Sequence, residues 1–215
     1  MAINITPSKE NIFKRIRQAL SHSTPLPFPQ SEGAGGFFQP SRQELEVEFA
    51  EQFGKLQGKF AYCLNAQELA SQLNNLSAHR NWKQIYCRDE KWKALLKDNL
   101  FDNTSYTDLA SCDAAITGCE LLVARTGSIV LSAAGESGRT TSVYAPIHIC
   151  IAQTNQLVYD IKDAILHLKE KYAGKLPSLI TFASGPSRTA DIEKTLVTGV
   201  HGPKEVYCFL VEKEV

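Results

Sequence analysis

The sequence predicts an α/β fold: a mostly parallel sheet with helices on both faces, preceded by an N-terminal helix and a proline- and glycine-rich arm. Two consecutive strand-then-helix units, FAYCL (60–64) and QIYC (84–87) each followed by a helical pattern, carry most of that expectation. Joining parallel strands takes a crossover of about a dozen residues or more, which a helix supplies. The run VYCFLV (206–211) adds a strand buried on both faces, as parallel sheets require. With 215 residues, 43% hydrophobic and 21% charged, the chain has the make-up of a folded domain with a full core.

The elements follow in order. Ile12, Phe13, Ile16, Ala19 and Leu20 recur at helical spacing, with Lys14, Arg15 and Arg17 on the other face. Residues 21–40 hold four prolines, three glycines and one formal charge, a composition suited to a flexible arm. The expected division is therefore 1–40, helix and flexible arm, and 41–215, the α/β domain. Ser41-x-x-Glu44 reads as a capping box before a stripe of Leu45, Phe49, Phe53 and Leu56. Asn65 with Glu68 opens a helix carrying Leu69, Leu73 and Leu76, and Asp89 opens one carrying Trp92, Leu95 and Leu96. DAAIT (113–117), SIVLS (128–132), HICIA (148–152) and QLVY (156–159) are closely spaced strands, so some antiparallel pairing is expected. A helix from Asp160 places Ile161, Ala164, Ile165, Leu168 and Tyr172 on one face and stops at Gly174. SLITFA (178–183) then leads through a turn to a short helix around 189–197.

Composition also excludes function classes. Lys+Arg and Asp+Glu both number 23, so no overall field draws a polyanion and nucleic acid is not an expected partner. No apolar run approaches the roughly 18 to 20 residues that span a bilayer, and charge interrupts the N-terminal segment, so a cytoplasmic protein without a membrane span is expected. The six cysteines are scattered without a C-x-x-C and read as reduced, mostly buried thiols. The five histidines show neither H-x-x-x-H nor H-x-H, so no metal site and no cofactor are expected in this chain.

The strongest chemical signal is SGPSRTADIEK (184–194), read as a strand-to-helix junction. The free N–H groups of a first helical turn bind anions, and Gly185 lets the backbone come close. Ser187, Arg188 and Thr189 add hydroxyls and a guanidinium suited to carboxylate or phosphate, with Asp191 beside them. Thr126-Gly127-Ser128 forms a polar turn before a strand, with Glu120 upstream. Arg139 lies in a glycine-rich loop, and His148 follows Pro146 at a strand entrance. His201, between Gly199 and Gly202, is placed to act as acid, base or anion contact. Three nucleotide and hydrolase patterns fail. There is no G-x-G-x-x-G; Ala133 and Arg139 stand where a phosphate loop has its first glycine and its lysine; and Ser187, His201 and Asp191 lack the G-x-S-x-G elbow.

The strings T-G-S-I-V-L (126–131), P-x-H-I (146–149), G-P-S-R-T-A-D-I-E (185–193) and G-V-H-G-P (199–203), in this order, resemble the LUD domain family over roughly residues 40–215. The resemblance implies a Rossmann-like fold related to the sugar-phosphate isomerase and CoA-transferase superfamily. It also implies a role in bacterial use of L-lactate, its oxidation to pyruvate, beside partner proteins of which at least one carries iron–sulfur clusters. This chain lacks the clustered cysteines such a cluster needs, so iron–sulfur belongs to a partner. Three functions remain open at this stage. The chain is a subunit binding a small carboxylate at 185–203, an isomerase- or transferase-type enzyme with Glu120 as nucleophile or base, or a structural assembly subunit, with a homo-oligomer possible in each case. Whether Glu120, Arg139, Arg188 and His201 share one cleft separates a ligand site from an assembly surface.

Overall fold

The computed structural model describes residues 7–21, 43–192 and 195–212. Residues 22–42, and with them most of the arm and Ser41, lie outside these. The chain divides into two compact units, Met1–Gln39 and Pro40–Val215. The first contains helix α1, Pro7–Leu20, where the sequence places it.

In the second unit α2 (Leu45–Lys55), β1 (Lys59–Cys63), α3 (Ala66–Arg80), β2 (Ile85–Cys87), α4 (Glu90–Asp98) and β3 (Ala114–Thr117) build the predicted alternation. After β3 come β4 (Leu121–Val123), a short 3-10 turn at Ala124–Thr126, β5 (Ser128–Ser132), α5 (Thr141–Tyr144) and β6 (Ile147–Gln153). The rest is β7 (Leu157–Val158), α6 (Ile161–Lys171), β8 (Ile180–Ala183), β9 (Arg188–Ile192), β10 (Thr195–Thr198) and β11 (Glu205–Val211).

Two sheets pack against each other. One has the order β1-β11-β6-β3-β2, every neighbouring pair parallel. The run at 206–211 is its second strand, flanked on both sides as its unbroken apolar sequence demands. The other sheet, β7-β4-β5-β8, contains the expected antiparallel pairs, β4 with β5 and β5 with β8.

Alternate residues of the parallel strands sort into two cores. Ile116, Ile149, Ile151, Tyr207 and Phe209 meet Leu69, Leu73, Trp92 and Leu96 of α3 and α4. On the opposite face Cys150, Ala152, Val206, Cys208 and Leu210 meet Phe49 and Phe53 of α2 together with Leu122 and Ile129 of the second sheet. Ala145, beside α5, packs on Ala115 of β3 on that face too. Phe49 and Phe53 stack at 5.3 Å and are fully buried, each worth about 2 to 3 kcal/mol of apolar transfer. A third core lies beneath α6, where Ala164 and Leu168 cover Leu121, Val123 and Val130. Ile165, predicted on that buried face, is 39% exposed.

The starts of α3, α4 and α6 behave as their sequences require, whereas α2 begins at Leu45 with Glu44 itself at the N-cap and no side-chain cap, so Glu44 is not the third helical residue that the expected Ser41–Glu44 box requires. Asn65 accepts the Glu68 N–H at 2.9 Å and Asp89 accepts the Trp92 N–H, while Asp160 and Asp163 form a reciprocal capping box. All six cysteines are free and five are buried. Burial pushes the Cys63 thiol up to about 12 and Cys87 to about 11, so both remain protonated fillers of the core.

A second expectation is overturned. Residues 189–197 are not a helix: β9 and β10 form an antiparallel hairpin, pairing Arg188 with Thr198 and Ile192 with Thr195. Thr189, Ile192, Thr195 and Val197 are β-branched and favour a pleated strand, a preference that outweighs the capping pattern read in S-R-T-A-D. No helix among the described residues is long and apolar enough to cross a membrane.

Candidate functional site

The principal cleft, about 680 Å³, opens at the carboxyl ends of β3 and β6. That is where an open α/β sheet offers ligands a crevice. Its walls come from the loop after β3, the loop after β5, the residues following β6, the start of α4 and the end of α6.

The turn after β3 is fixed before any side chain reaches the cleft. The Gln156 amide donates to the carbonyls of Cys119 (2.7 Å) and Glu120 (3.2 Å), and its oxygen accepts the Gln153 N–H at 2.7 Å. The Glu120 N–H donates to the Val130 carbonyl at 2.8 Å, carrying the turn into β4. Gly118 is required by its neighbour, because a Cβ there would stand 2.6 Å from the Trp92 indole nitrogen.

Glu120 is the best-organised charged group of the cleft. Tyr172 donates to its Oε1 at 2.7 Å, Ser132 donates to the same oxygen, and Lys171 donates to Oε2 at 2.6 Å. Its side chain is 7% exposed, against 52% for that of Lys171. Burial works to raise its pKa, yet the donors Lys171, Ser132 and Tyr172 outweigh it and hold the carboxyl below its ordinary value. The bond to Glu120 raises the Lys171 ammonium, while burial and then its own hydrogen bond to Glu120 raise the Tyr172 phenol. All three groups therefore keep one protonation state near neutral pH.

Across the cleft, α4 begins under two carboxylates. Asp89 caps it, and Glu136 of the loop after β5 accepts the Glu90 N–H at 2.8 Å. Burial, helped by the charge of Glu136, lifts the Asp89 pKa despite the Trp92 N–H it accepts. Lys91, His167, Ser137, Ser142 and Asn155 complete a lining rich in hydrogen-bonding groups. Among the described residues no group of three or more His, Cys, Asp or Glu is arranged to hold a metal.

The other sequence-predicted residues gather elsewhere. The Ser187 N–H donates to the Pro203 carbonyl at 2.9 Å, the Gly199 N–H donates to the Ser187 carbonyl at 3.0 Å, and the Lys204 N–H donates to the Pro146 carbonyl at 2.8 Å. Gly202 lies against the Ser187 side chain. Ser128 and Ser184 share a hydroxyl hydrogen bond of 2.7 Å, and Thr126 joins Ser128 at 2.8 Å. Gly127 and Gly185 both have positive φ, +56° and +80°, and both press on α2: an added Cβ would meet Phe53 N and Leu56 O, each at 2.5 Å. These contacts link parts of all four motif strings near the amino end of β6, roughly 20 Å along that strand from the cleft residues that follow it, while Leu131, the last residue of the first string, lines the cleft.

Arg188 and His201 are exposed at that end, and the hairpin removes the helix N-terminus from which Arg188, Thr189 and Asp191 were expected to hold an anion. Arg139 sits beside the cleft-lining Gly138 and donates to the Ser178 hydroxyl. His148 is 1% exposed, its Nε2 2.8 Å from Thr117 Oγ1, and burial lowers its pKa to about 4. Glu120, Arg139, Arg188 and His201 therefore do not share one pocket. Sequence reasoning found Glu120 but missed Lys171, Ser132 and Gln156, whose separations of 51, 12 and 36 residues leave no local pattern.

Comparison with known proteins agrees with this architecture. A crystal structure of a DUF162 family protein from Deinococcus radiodurans superposes with a TM-score of 0.59 at 19% identity, covering 80% of this chain and 99% of that one. Lactate utilization protein C of Shouchella clausii is 36% identical over 117 residues, 54% of this chain and 51% of that protein. The protein of the same name from Halalkalibacterium halodurans is 38% identical over 104 residues, 47% of this chain and 45% of that protein. The matched part spans about half the length of these curated relatives. The LUD domain profile matches residues 47–211, which takes in both sheets, the cleft and all four motif strings; the chain belongs to the LUD domain family.

Proposed function

We propose that this chain is a component of a lactate utilization system and that the Glu120 cleft takes a small hydroxy- or keto-carboxylate, L-lactate or pyruvate. The observation that carries the reading is the Glu120–Lys171–Tyr172–Ser132 cluster on the wall of a 680 Å³ cleft at the carboxyl ends of the strands. Half-exposed Lys171 presents an ammonium to a ligand carboxylate, and the neighbouring hydroxyls and amides match the ligand's oxygens. The names of the relatives in two bacteria supply the metabolite class.

Glu120 acts here by position. Its lowered pKa weakens Glu120 as a base, and donors on both oxygens hold the carboxylate in one orientation, which suits a positioning role. Oxidation of lactate then falls to partner subunits carrying iron–sulfur clusters, and the exposed Arg188 and His201 end serves assembly with them. Calorimetric titration of L-lactate and pyruvate into wild type, Lys171→Met and Arg188→Ala tests this. Binding weakened at least tenfold by Lys171→Met and kept by Arg188→Ala is expected. The opposite pattern would return the ligand to the 185–203 segment and overturn the reading.

A further inference from the structure

A second concavity, about 620 Å³, runs between α2 and the edge strand β1, away from the Glu120 cleft. Its floor is apolar. Val47 and Ala50 come from successive turns of α2, Phe60 and Tyr62 from alternate positions of β1, and Val47 and Tyr62 are 45% and 39% exposed. Its rim is acidic, formed by Glu44, Glu46 and Glu51. Glu212, past the end of β11, adds a fourth carboxylate facing Tyr62; burial first, then the charges of Glu212, Glu46 and Glu44, raise the Tyr62 phenol. None of these four carboxylates enters an ion pair among the described residues, although the Gln43 amide donates to Glu51 at 3.2 Å.

The helix dipole accounts for Glu44 and Glu46, which flank the start of α2. It does not account for Glu51 in the second half of that helix, for Glu212 on another element, or for large apolar groups left exposed between them. An apolar floor inside a one-signed rim is the arrangement that receives an amphipathic helix of opposite charge.

We propose that this groove is a docking site for a cationic amphipathic helix, a partner segment whose apolar stripe fills the Val47–Tyr62 floor while flanking Lys and Arg meet Glu44, Glu46, Glu51 and Glu212. The site is distinct from the cleft, and its occupant is recognised by charge and apolar face. A helix of this chemistry is at hand as a probe in the sequence of residues 7–21, where Ile12, Phe13 and Ile16 are exposed and four basic residues stand against one acid.

Fluorescence anisotropy of a labelled peptide with the sequence of residues 7–21, titrated with the full chain, reads the interaction. Saturable binding is expected, weakened tenfold or more by the double variant Glu46→Lys and Glu51→Lys, and by raising salt from 0.05 to 0.5 M, which shortens the Debye length to about 4 Å. A peptide with its Lys and Arg changed to Glu should not bind. Thermal melts confirm that the variant is folded, and the separate variant Val47→Ser removes floor without touching charge and should also weaken binding. Self-association of the full chain in sedimentation, lost in the same variants, supports the site with a second copy as the donor. Equal binding of the charge-reversed peptide, an uncharged strand-forming peptide binding better than the cationic one, or no effect of either variant would overturn the proposal. None of these readouts depends on lactate, so they stand or fall apart from the Glu120 cleft.

Discussion

Gly127→Ala is the sharpest test of whether the T-G-S turn binds a ligand or holds the fold. Gly127 sits at φ +56°, where an L side chain costs roughly 1 to 2 kcal/mol. The new methyl would stand 2.5 Å from Phe53 N, 2.7 Å from Gln52 C and 2.8 Å from Phe53 Cα, all backbone atoms in the middle of α2. No rotamer relieves such a contact, so either the 124–128 turn or α2 must shift. Overpacking of this kind typically adds about 1 to 3 kcal/mol. The total, about 2 to 5 kcal/mol, is a large part of the 5 to 15 kcal/mol that stabilises a typical domain. For a chain of this size it lowers Tm by roughly 4 to 20 °C. Differential scanning calorimetry measures the loss, and lactate titration scaled to folded protein separates stability from binding. A variant that melts with wild type but no longer binds ligand would refute the packing argument and make the turn part of a site.

His148→Gln should flatten the acid limb of stability. The folded-state pKa near 4 lies below the usual 6.5, so the unfolded chain takes up a proton the folded chain refuses, and about 3 kcal/mol is lost as pH falls from 6.5 to 4; urea midpoints at pH 7, 5.5 and 4.5 show whether the variant loses less. Glu120→Gln should cost about 1 kcal/mol at pH 7, the ion pair being screened at the half-exposed Lys171. Because the folded Glu120 pKa is lowered, that stabilisation is present above the unfolded value and fades as pH falls through the folded one, so wild type and variant should converge in acid melts. Gly118→Ala should push the Trp92 indole aside and change the emission of that tryptophan, read against the Trp82→Phe background, while weakening lactate binding.

Periodicity and caps made most of the fold legible. The helix starts at Asn65, Asp89 and Asp160 rest on interactions within a few residues, and the strand at 206–211 announces itself by an unbroken apolar run although its pairing partners are distant; all are where the sequence places them. The 189–197 segment went the other way because S-R-T-A-D-I-E carries both a capping pattern and β-branched residues, and pairing with 195–198 decides between them. The site was legible only in part. Glu120 stood out beside a polar turn, but the groups that give it its character come from α6 and β5, and only the packing of α6 on the second sheet brings Lys171 and Tyr172 to it. The glycine motifs were visible as motifs, yet their spacing does not say whether a close approach serves a ligand or a helix. At Gly127 and Gly185 it serves α2.

Within the α/β domain a buried hydrogen bond links the motif end of β6 to the cleft. Pro146, which accepts the Lys204 N–H, anchors the motif end, and two residues along β6 His148 turns inward to Thr117 Oγ1. Thr117 is the last residue of β3, lines the cleft, and is followed directly by the Gly118–Glu120 turn. A fully buried neutral imidazole is costly to leave without its partner, so the β6 and β3 positions are held together more firmly than the strand ladder alone would hold them. A displacement of the 199–204 segment by a binding partner would therefore act on β6 at its start and on the cleft turn through Thr117. Along that path Thr117→Val, which keeps the shape and removes the hydroxyl that pairs with His148, should weaken lactate binding while leaving the assembly proposed for the Arg188 end unchanged. Loss of both together would mean only that the domain had loosened as a whole.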